Sequence, residues 1–321
     1  MRAGEGAGVA GVSVRNATGR DPPYNSPVTS TTLRTLLHSL VDYAGLFPPA
    51  ALDMHQAVQE YAHHRAGDHA WMLGHFIVPV SRLEEFATSH SALGPSPVGD
   101  VWRLSVLPGP DLDVTLAAIV AFNGNAGAVV DTLELKFDAV PDLPAALQRI
   151  PSTLSTYVEL PIDDDLAPRL ALISAAGARA KVRTGGVTEG AFPASHTLAR
   201  FIQSCADAAV PFKATAGLHH PLRGEYRLTY EEGSPHGMMF GFLNVFLAAA
   251  FARTGLTLKE LALLLEEKDA DAFQFTETSA SWRGNTVSRT EISAVRHHVA
   301  LSFGSCSFQE PVDDLRSLGL L

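Results

Sequence analysis

Two short segments carry most of the chemistry that can be read from this chain. One is Lys181-Val182-Arg183-Thr184-Gly185-Gly186. The other is Lys213-Ala214-Thr215-Ala216-Gly217, followed by Leu218-His219-His220. Each reads as a short strand running into a glycine turn, and their spacing fits one strand–helix unit of a parallel α/β fold. Alternation along a strand puts Lys181 and Arg183 on one face, and Lys213 and Thr215 on one face of theirs. Cations turned into a fold are costly unless paired, so the repeat points to a site that handles anions or carbonyl groups. A lysine desolvated near other cations has a lowered pKa, and its neutral amine can attack a carbonyl. Lys213 is expected to form such a Schiff base, with Lys181 assisting electrostatically; the reverse assignment is open.

The same parity argument extends along the chain. Strands at Trp71–Pro79, Val101–Leu107, Ala128–Phe137 and Ser155–Leu160 would direct His75, Arg103, Glu134, Lys136 and Glu159 to the same interior as Lys181, Arg183 and Lys213. Glu159, or Glu134, would move protons between amine, carbinolamine and water, with His219 as a further proton-transfer group. Arg183 and the Gly185-Gly186 turn would hold a carboxylate or phosphate, because arginine offers a planar fork and glycine allows close backbone approach. Thr184 and Thr215 would add hydroxyl donors, and Glu134, Lys136, His220 and Asn244 further substrate contacts. Asp42, at the end of a first strand, could pair with Arg183 or Lys213. A glycine needed only for a tight turn, and an Asn244 that bonds between helices, are the plainer readings of those residues.

Strands regularly separated by helical stretches predict a (β/α)8 TIM-type barrel, with a doubly wound open sheet as the second choice. The strand candidates are Leu40–Phe47, the four above, the two lysine strands and Ala272–Thr278. The first thirty-two residues, rich in Gly, Ala, Ser, Thr and Pro, read as a flexible extension. Residues 33–321 read as one barrel domain, with an insertion near 218–237 and a C-terminal tail from 283. The insertion and the loop-helix tail are expected to cover or line one mouth of the barrel. Ser81 is a plausible helix N-cap, and His63-His64 and His297-His298 fall on predicted helices.

The lysine strands ending in Thr-Gly or Ala-Gly turns resemble those of lysine-dependent, class I aldolase barrels, and the glutamate and lysine strands loosely resemble the phosphoribosyltransferase barrel that acts on quinolinate. The aldolase resemblance covers the barrel pattern and the two lysine strands. It implies carbon–carbon bond cleavage or formation through Lys181 or Lys213, hence a lyase.

Composition narrows the alternatives. The chain has 321 residues, 46% hydrophobic and 18% charged, with a formal net charge of −10. No basic block suggests nucleic acid or an anionic membrane surface, so an anionic small-molecule substrate needs local positive charge. The two cysteines, Cys205 and Cys306, form neither a disulfide framework nor a zinc motif, and a reducing cytoplasm is the simplest compartment. Both are expected to pack. The apolar run Phe240–Phe251 is too short to span a bilayer; it could pack on the barrel or join subunits in a homo-oligomer. No cofactor is required by the leading reading. A divalent metal enters through a second one, a metal-dependent hydrolase or lyase using His219, His220 and His236, with Glu277 as a candidate fourth ligand. The loop Asp163-Asp164-Asp165 reads as solvated helix-start charge rather than a cation site. A third reading is a barrel that binds a small molecule without catalysis.

Overall fold

The computed structural model describes residues 29–94, 101–124, 127–140, 142–163 and 165–321. Strands β1 (Val41–Tyr43), β2 (Leu73–Pro79), β3 (Trp102–Leu107), β4 (Ala128–Lys136), β5 (Ser155–Glu159), β6 (Arg179–Arg183) and β7 (Phe212–Thr215) follow the expected alternation with helices. Two hairpin strands come next, β8 (Gly224–Arg227) and β9 (His236–Met239), then β10 (Phe273–Phe275), β11 (Ser279–Trp282), β12 (Asn285–Ser288) and β13 (Ala300–Ser305). Eight parallel strands close a barrel in the order β1-β13-β7-β6-β5-β4-β3-β2. This is the (β/α)8 architecture.

The eighth barrel strand is β13, not the Ala272–Thr278 segment. That segment supplies β10, the first strand of an antiparallel three-stranded sheet with β11 and β12. Only Phe273 of β10 is buried, whereas five of the six residues of β13 are. The sequence Ala-Leu-Ser-Phe-Gly-Ser hides its strand character because small residues take the places that face the crowded axis. Phe303, facing outward, stacks on Phe242 at 5.3 Å between ring centroids.

The helices are α1 (Thr31–Leu37), α2 (Met54–Ala66), α3 (Leu83–Ser91), α4 (Leu112–Asn123), α5 (Leu143–Arg149), α6 (Leu166–Ala175), α7 (Ser195–Asp207), α8 (Phe242–Ala252), α9 (Leu258–Leu265), α10 (Arg289–His298) and α11 (Gln309–Ser317). Several starts are set by side chains: Asp53 accepts from Gln56 N, and capping boxes join Thr257 to Glu260 and Ser288 to Glu291. Ser81 caps nothing, because a 3-10 turn over Val80–Arg82 comes before α3. The expected extension over 1–32 lies outside the described residues as far as residue 28, and α1 begins at Thr31. All 11 residues of α8 are buried by the chain's own elements. Among the described residues no helix is long and apolar enough to cross a membrane.

Outward-facing Leu104, Val106, Leu133, Leu135, Val158, Ala180, Val182 and Ala214 pack under the helices as part of one apolar core. The alternate residues face the axis, and many of them are polar: Ser105, Thr132, Glu134, Lys181, Lys213 and Ser302 are all buried. Barrel axes are usually filled with branched apolar side chains, so this interior sets the question for the site.

Candidate active site

The axial groups form a chain of alternating charge. Arg103 Nε lies 2.5 Å from Asp131, and His75 Nε2 lies 2.9 Å from the same carboxylate. His75 Nδ1 is 3.2 Å from Asp42 Oδ1, and Lys213 Nζ is 2.6 Å from Asp42 Oδ2. Lys213 is also 2.6 Å from Glu134 Oε1, and Lys181 is 2.9 Å from Glu134 Oε2. Lys181 continues to Glu159 at 2.9 Å, and Glu159 to Arg183 at 3.3 Å. Ser105 and Ser302 donate to Glu134 (2.6 Å) and Asp42 (2.7 Å). The chain runs from the N-terminal end of the barrel, at Arg103, to its C-terminal mouth, at Arg183.

This pairing fixes the charge states. Burial pushes the Asp42 carboxyl up, but Lys213 and His75 outweigh it and hold it far below the usual carboxylate range. Burial also raises Glu134, yet Lys181 and Lys213 bring it down to about 2. For Lys213 burial works against the ammonium, while Asp42 and Glu134 hold it well above the ordinary lysine range. The expectation of a neutral Lys213 amine is therefore overturned: two carboxylates in contact win over desolvation and neighbouring cations. His75 loses charge preference by burial and regains more from Asp131 and Asp42, reaching about 9.

At the C-terminal mouth a cavity of about 400 Å³ opens onto Glu134, Lys136, Glu159, Lys181, Arg183 and Thr215. Lys213 is 1% exposed and does not reach it, whereas Lys181 does. Ile77, Leu107, Leu228 and Met239 form apolar walls. Leu228 and Met239 come from the β8–β9 hairpin, so the insertion lies over the mouth. A larger hollow of about 750 Å³ adjoins between the loops after β3 and β4, sharing Glu134 and Lys136; it contains neither lysine of the axis, so the chemistry belongs to the smaller cavity. Lys181 Nζ lies 2.9 Å from Glu159 Oε2, so its ammonium is divided between Glu134 and Glu159. Burial raises the Glu159 carboxyl, and Lys181 and Arg183 more than reverse this.

The two glycine turns pack on each other. A side chain at Gly217 would meet Gly185 Cα at 2.8 Å, and Gly217 has φ +72°. A side chain at Gly185 would meet Phe192 at 2.4 Å. Ala216, with φ +61°, also lines the cavity, a left-handed conformation that costs a non-glycine residue. Thr184 Oγ1 donates to Ala216 O at 2.6 Å and is fully buried. It ties the turns together and is not a substrate donor, because its hydroxyl proton is already placed. Gly186 and Thr215 do face the cavity.

Other sequence-based expectations separate similarly. His219 lines the cavity, with Nδ1 3.2 Å from Glu310 and 3.9 Å from Cys306 Sγ. Burial favours its neutral form, but Cys306 and Glu310 hold it up to about 9. Tyr230 donates to Glu310 at 2.8 Å. Cys306 faces the cavity rather than simply packing, while Cys205 is buried in α7. His220 turns away to Asp314 at 2.6 Å and stacks on Tyr226, so it is not a substrate contact. Asn244 is not one either. Its Oδ1 accepts from Arg223 N at 3.0 Å, and its Nδ2 donates to Leu264 O and Glu267 O at 2.8 and 2.9 Å. The proposed metal group is not assembled: His219 and His220 serve different carboxylates, His236 is exposed opposite Arg227 on the hairpin, and Glu277 accepts from Thr31. Among the described residues no three His, Cys, Asp or Glu side chains converge as metal ligands. Asp163 pairs with Arg169, and Asp164 lies outside the described residues.

Asp131, Glu310 and Tyr230 were not legible as site residues. Asp131 has the wrong strand parity for the axis. A bulge in the β3–β4 pairing, where Leu104 meets Val130 and Ser105 meets Thr132, leaves Asp131 as the extra residue and turns it towards His75.

A (β/α)8 barrel with buried lysines and carboxylates on its axis is compatible with aldolase-type enzymes, and this fold is commonly enzymatic. Compared with known proteins, the chain matches no protein-family profile, and no curated protein sequence is significantly similar to it.

Proposed function

We propose that the protein is an aldolase-type lyase that acts on a small anionic carbonyl compound through a Schiff base on Lys181. The observation that carries this reading is that Lys181 is the axial lysine that reaches the cavity, while its neighbour Lys213 is a fixed ammonium beneath it. Both lysines contact two carboxylates, but Lys213 does not line the cavity, so a carbonyl compound held there does not meet it. Lys213 supplies positive charge to Glu134, and through Glu134 it positions Lys181.

Each chemical step has a group in reach. Lys181 must lose a proton before attack, and Glu159 Oε2, 2.9 Å from its nitrogen, is the group placed to take it. The nitrogen then adds to the carbonyl carbon. One proton passes from nitrogen to oxygen in the adduct, Glu159 returns the other, and the oxygen leaves as water with an iminium remaining. Electrons of the bond between the α and β carbons move towards that iminium while the again-ionised Glu159 removes the β-hydroxyl proton. One aldehyde departs and an enamine remains on the lysine. His219, held by Glu310, can return a proton to the enamine carbon, and water then adds to the resulting iminium and releases the second carbonyl product and the free lysine. Arg183 and Lys136 at the rim offer charge to a carboxylate or phosphate on the substrate. The apolar walls suit the short carbon skeleton between these ends.

The test is solvent exchange. Enamine formation makes the α-carbon protons of a bound carbonyl compound exchange with deuterium oxide, which proton NMR reads directly. With a pool of keto acids and sugar phosphates, at least one member should exchange with the native protein and not with Lys181→Met. No exchange across the pool, or equal exchange by the variant, would overturn the proposal and favour a binding barrel without catalysis.

A further inference from the structure

The hollow of about 750 Å³ beside the catalytic cavity has no part in the reaction steps above. Leu107, Glu134 and Lys136 line both spaces, so the two adjoin across these three side chains. Glu134 is buried, whereas Lys136 is exposed at the junction. Glu159, the carboxylate that feels the Lys136 charge, is already paired with Lys181 and Arg183.

The walls of the hollow are mostly carbon. One wall is the loop from β3 to α4, with Pro108, Pro110 and Leu112. The two prolines carry no N–H. Gly109 N donates to Thr115 Oγ1 at 3.1 Å, and Asp111 Oδ1 accepts from Asp113 N at 2.8 Å and Val114 N at 3.2 Å. These bonds are made within the loop and the start of α4, and they hold that wall in shape. The facing wall follows β4, with Leu135, Ala139 and Val140. Among the described residues the side-chain donors lining the hollow are Lys136, at the junction, and Arg149. Arg149 Nη1 already donates to both Asp113 oxygens at 3.0 Å on an exposed rim. A polyhydroxylated chain would exchange water for few partners here, whereas an apolar group gains from leaving water.

Arg183 stands on β6 and the hollow lies beyond β4, with β5 between them in the ring. An anion held at Arg183 therefore leaves the other end of the substrate directed towards the hollow. We propose that the hollow receives an apolar side chain, alkyl or aryl, and that the substrate is a hydroxy keto acid whose departing aldehyde carries this group. The inference rests on the Schiff-base reading, which fixes the carbonyl at Lys181, and it narrows that reading to a substrate class.

Calorimetric titration of the full chain with pyruvate and with benzylpyruvate tests this. Neither probe has a hydroxyl group beside the scissile position, so neither is cleaved. Benzylpyruvate should bind at least tenfold tighter, the order expected for burying one phenyl group. Ala139→Trp fills the hollow and should abolish that preference, with the affinity for pyruvate kept within twofold. Ala139 is exposed, so the core is untouched. Val140→Glu, which puts a charge in the same wall, is the second variant should the first fail to fold by circular dichroism. Equal affinity for the two probes, or a preference that survives in the folded variants, would overturn the proposal. Deuterium exchange recorded on the same samples keeps the two readings apart. A preference without exchange would count against the Schiff base and leave the hollow's role standing. Exchange without a preference would count against the hollow alone.

Discussion

Lys181 and Lys213 sit in register on neighbouring strands and divide one carboxylate between them, with Glu134 Oε2 2.9 Å from the first and Oε1 2.6 Å from the second. Their local sequences are alike, and their surroundings separate their roles. Each has a second carboxylate, Asp42 for Lys213 and Glu159 for Lys181, but only the Lys181–Glu159 pair lines the cavity.

Replacing Lys213 should act first on stability. Lys213→Met leaves Asp42 and Glu134 buried with one partner cation fewer, and breaking a buried pair from one side costs roughly 3–5 kcal/mol. Urea unfolding should show that loss. Adding Asp42→Asn to Lys213→Met should recover part of it, because the abandoned charge is then gone. Near-native stability of the single variant would remove the ion network from the account.

The direction of pH dependence follows from the shifts. Glu134 falls from 4.5 to about 2, and Asp42 is depressed as well. Their contribution is present above the unfolded values and is lost as pH falls through the folded ones. His75 and His219 rise from 6.5 to about 9. Their contribution is complete below 6.5 and is lost as pH rises through about 9. Unfolding midpoints should therefore be highest near pH 5–6.5 and decline on both sides, and His75→Gln should flatten the alkaline decline. A midpoint that climbs steadily to pH 9 would contradict these assignments.

Asn244 separates packing from recognition. Asn244→Ala leaves Arg223 N, Leu264 O and Glu267 O without their partner in a buried region, at a cost of about 3 kcal/mol. The unfolding free energy should drop by that order, while the affinity of any cavity ligand stays within twofold. A large affinity loss with unchanged stability would return Asn244 to the site.

The glycine turns should tolerate no side chain. At Gly217 the obstruction is the backbone of Gly185 at 2.8 Å, which cannot swing aside, and the φ of +72° adds strain. Gly217→Ala should reduce carbonyl turnover at least tenfold, because Ala216 and Thr215 beside it line the cavity. Full turnover in the folded variant would mean that the turn geometry is irrelevant to the site.

The alternation of short apolar runs with helical stretches makes the barrel legible, and strand parity places Glu134, Lys181 and Lys213 on its axis. The parts that escape are those where local pattern and tertiary structure diverge. Strand β13 is built of small residues, so it lacks the apolar run that marks its neighbours, and Phe273–Phe275 imitates a barrel strand better than β13 does. Asp131 reaches His75 only through a bulge, which no periodicity reveals. Thr184 and His220 stand next to true cavity residues, but hydrogen bonds to Ala216 and Asp314 take them elsewhere. The pairing of Asp42 with Lys213 is among the sequence expectations; that Glu134 joins it, and that together they keep Lys213 charged, is not.

The central claim is that Lys181, and not Lys213, meets the carbonyl. Borohydride reduction in the presence of keto acids and sugar phosphates, followed by peptide mapping by mass spectrometry, tests it most directly. One adduct is expected, on the peptide containing Lys181, with its mass naming the carbonyl compound and Lys213 unmodified. An adduct on Lys213, or none with any compound that the native protein turns over, would contradict it.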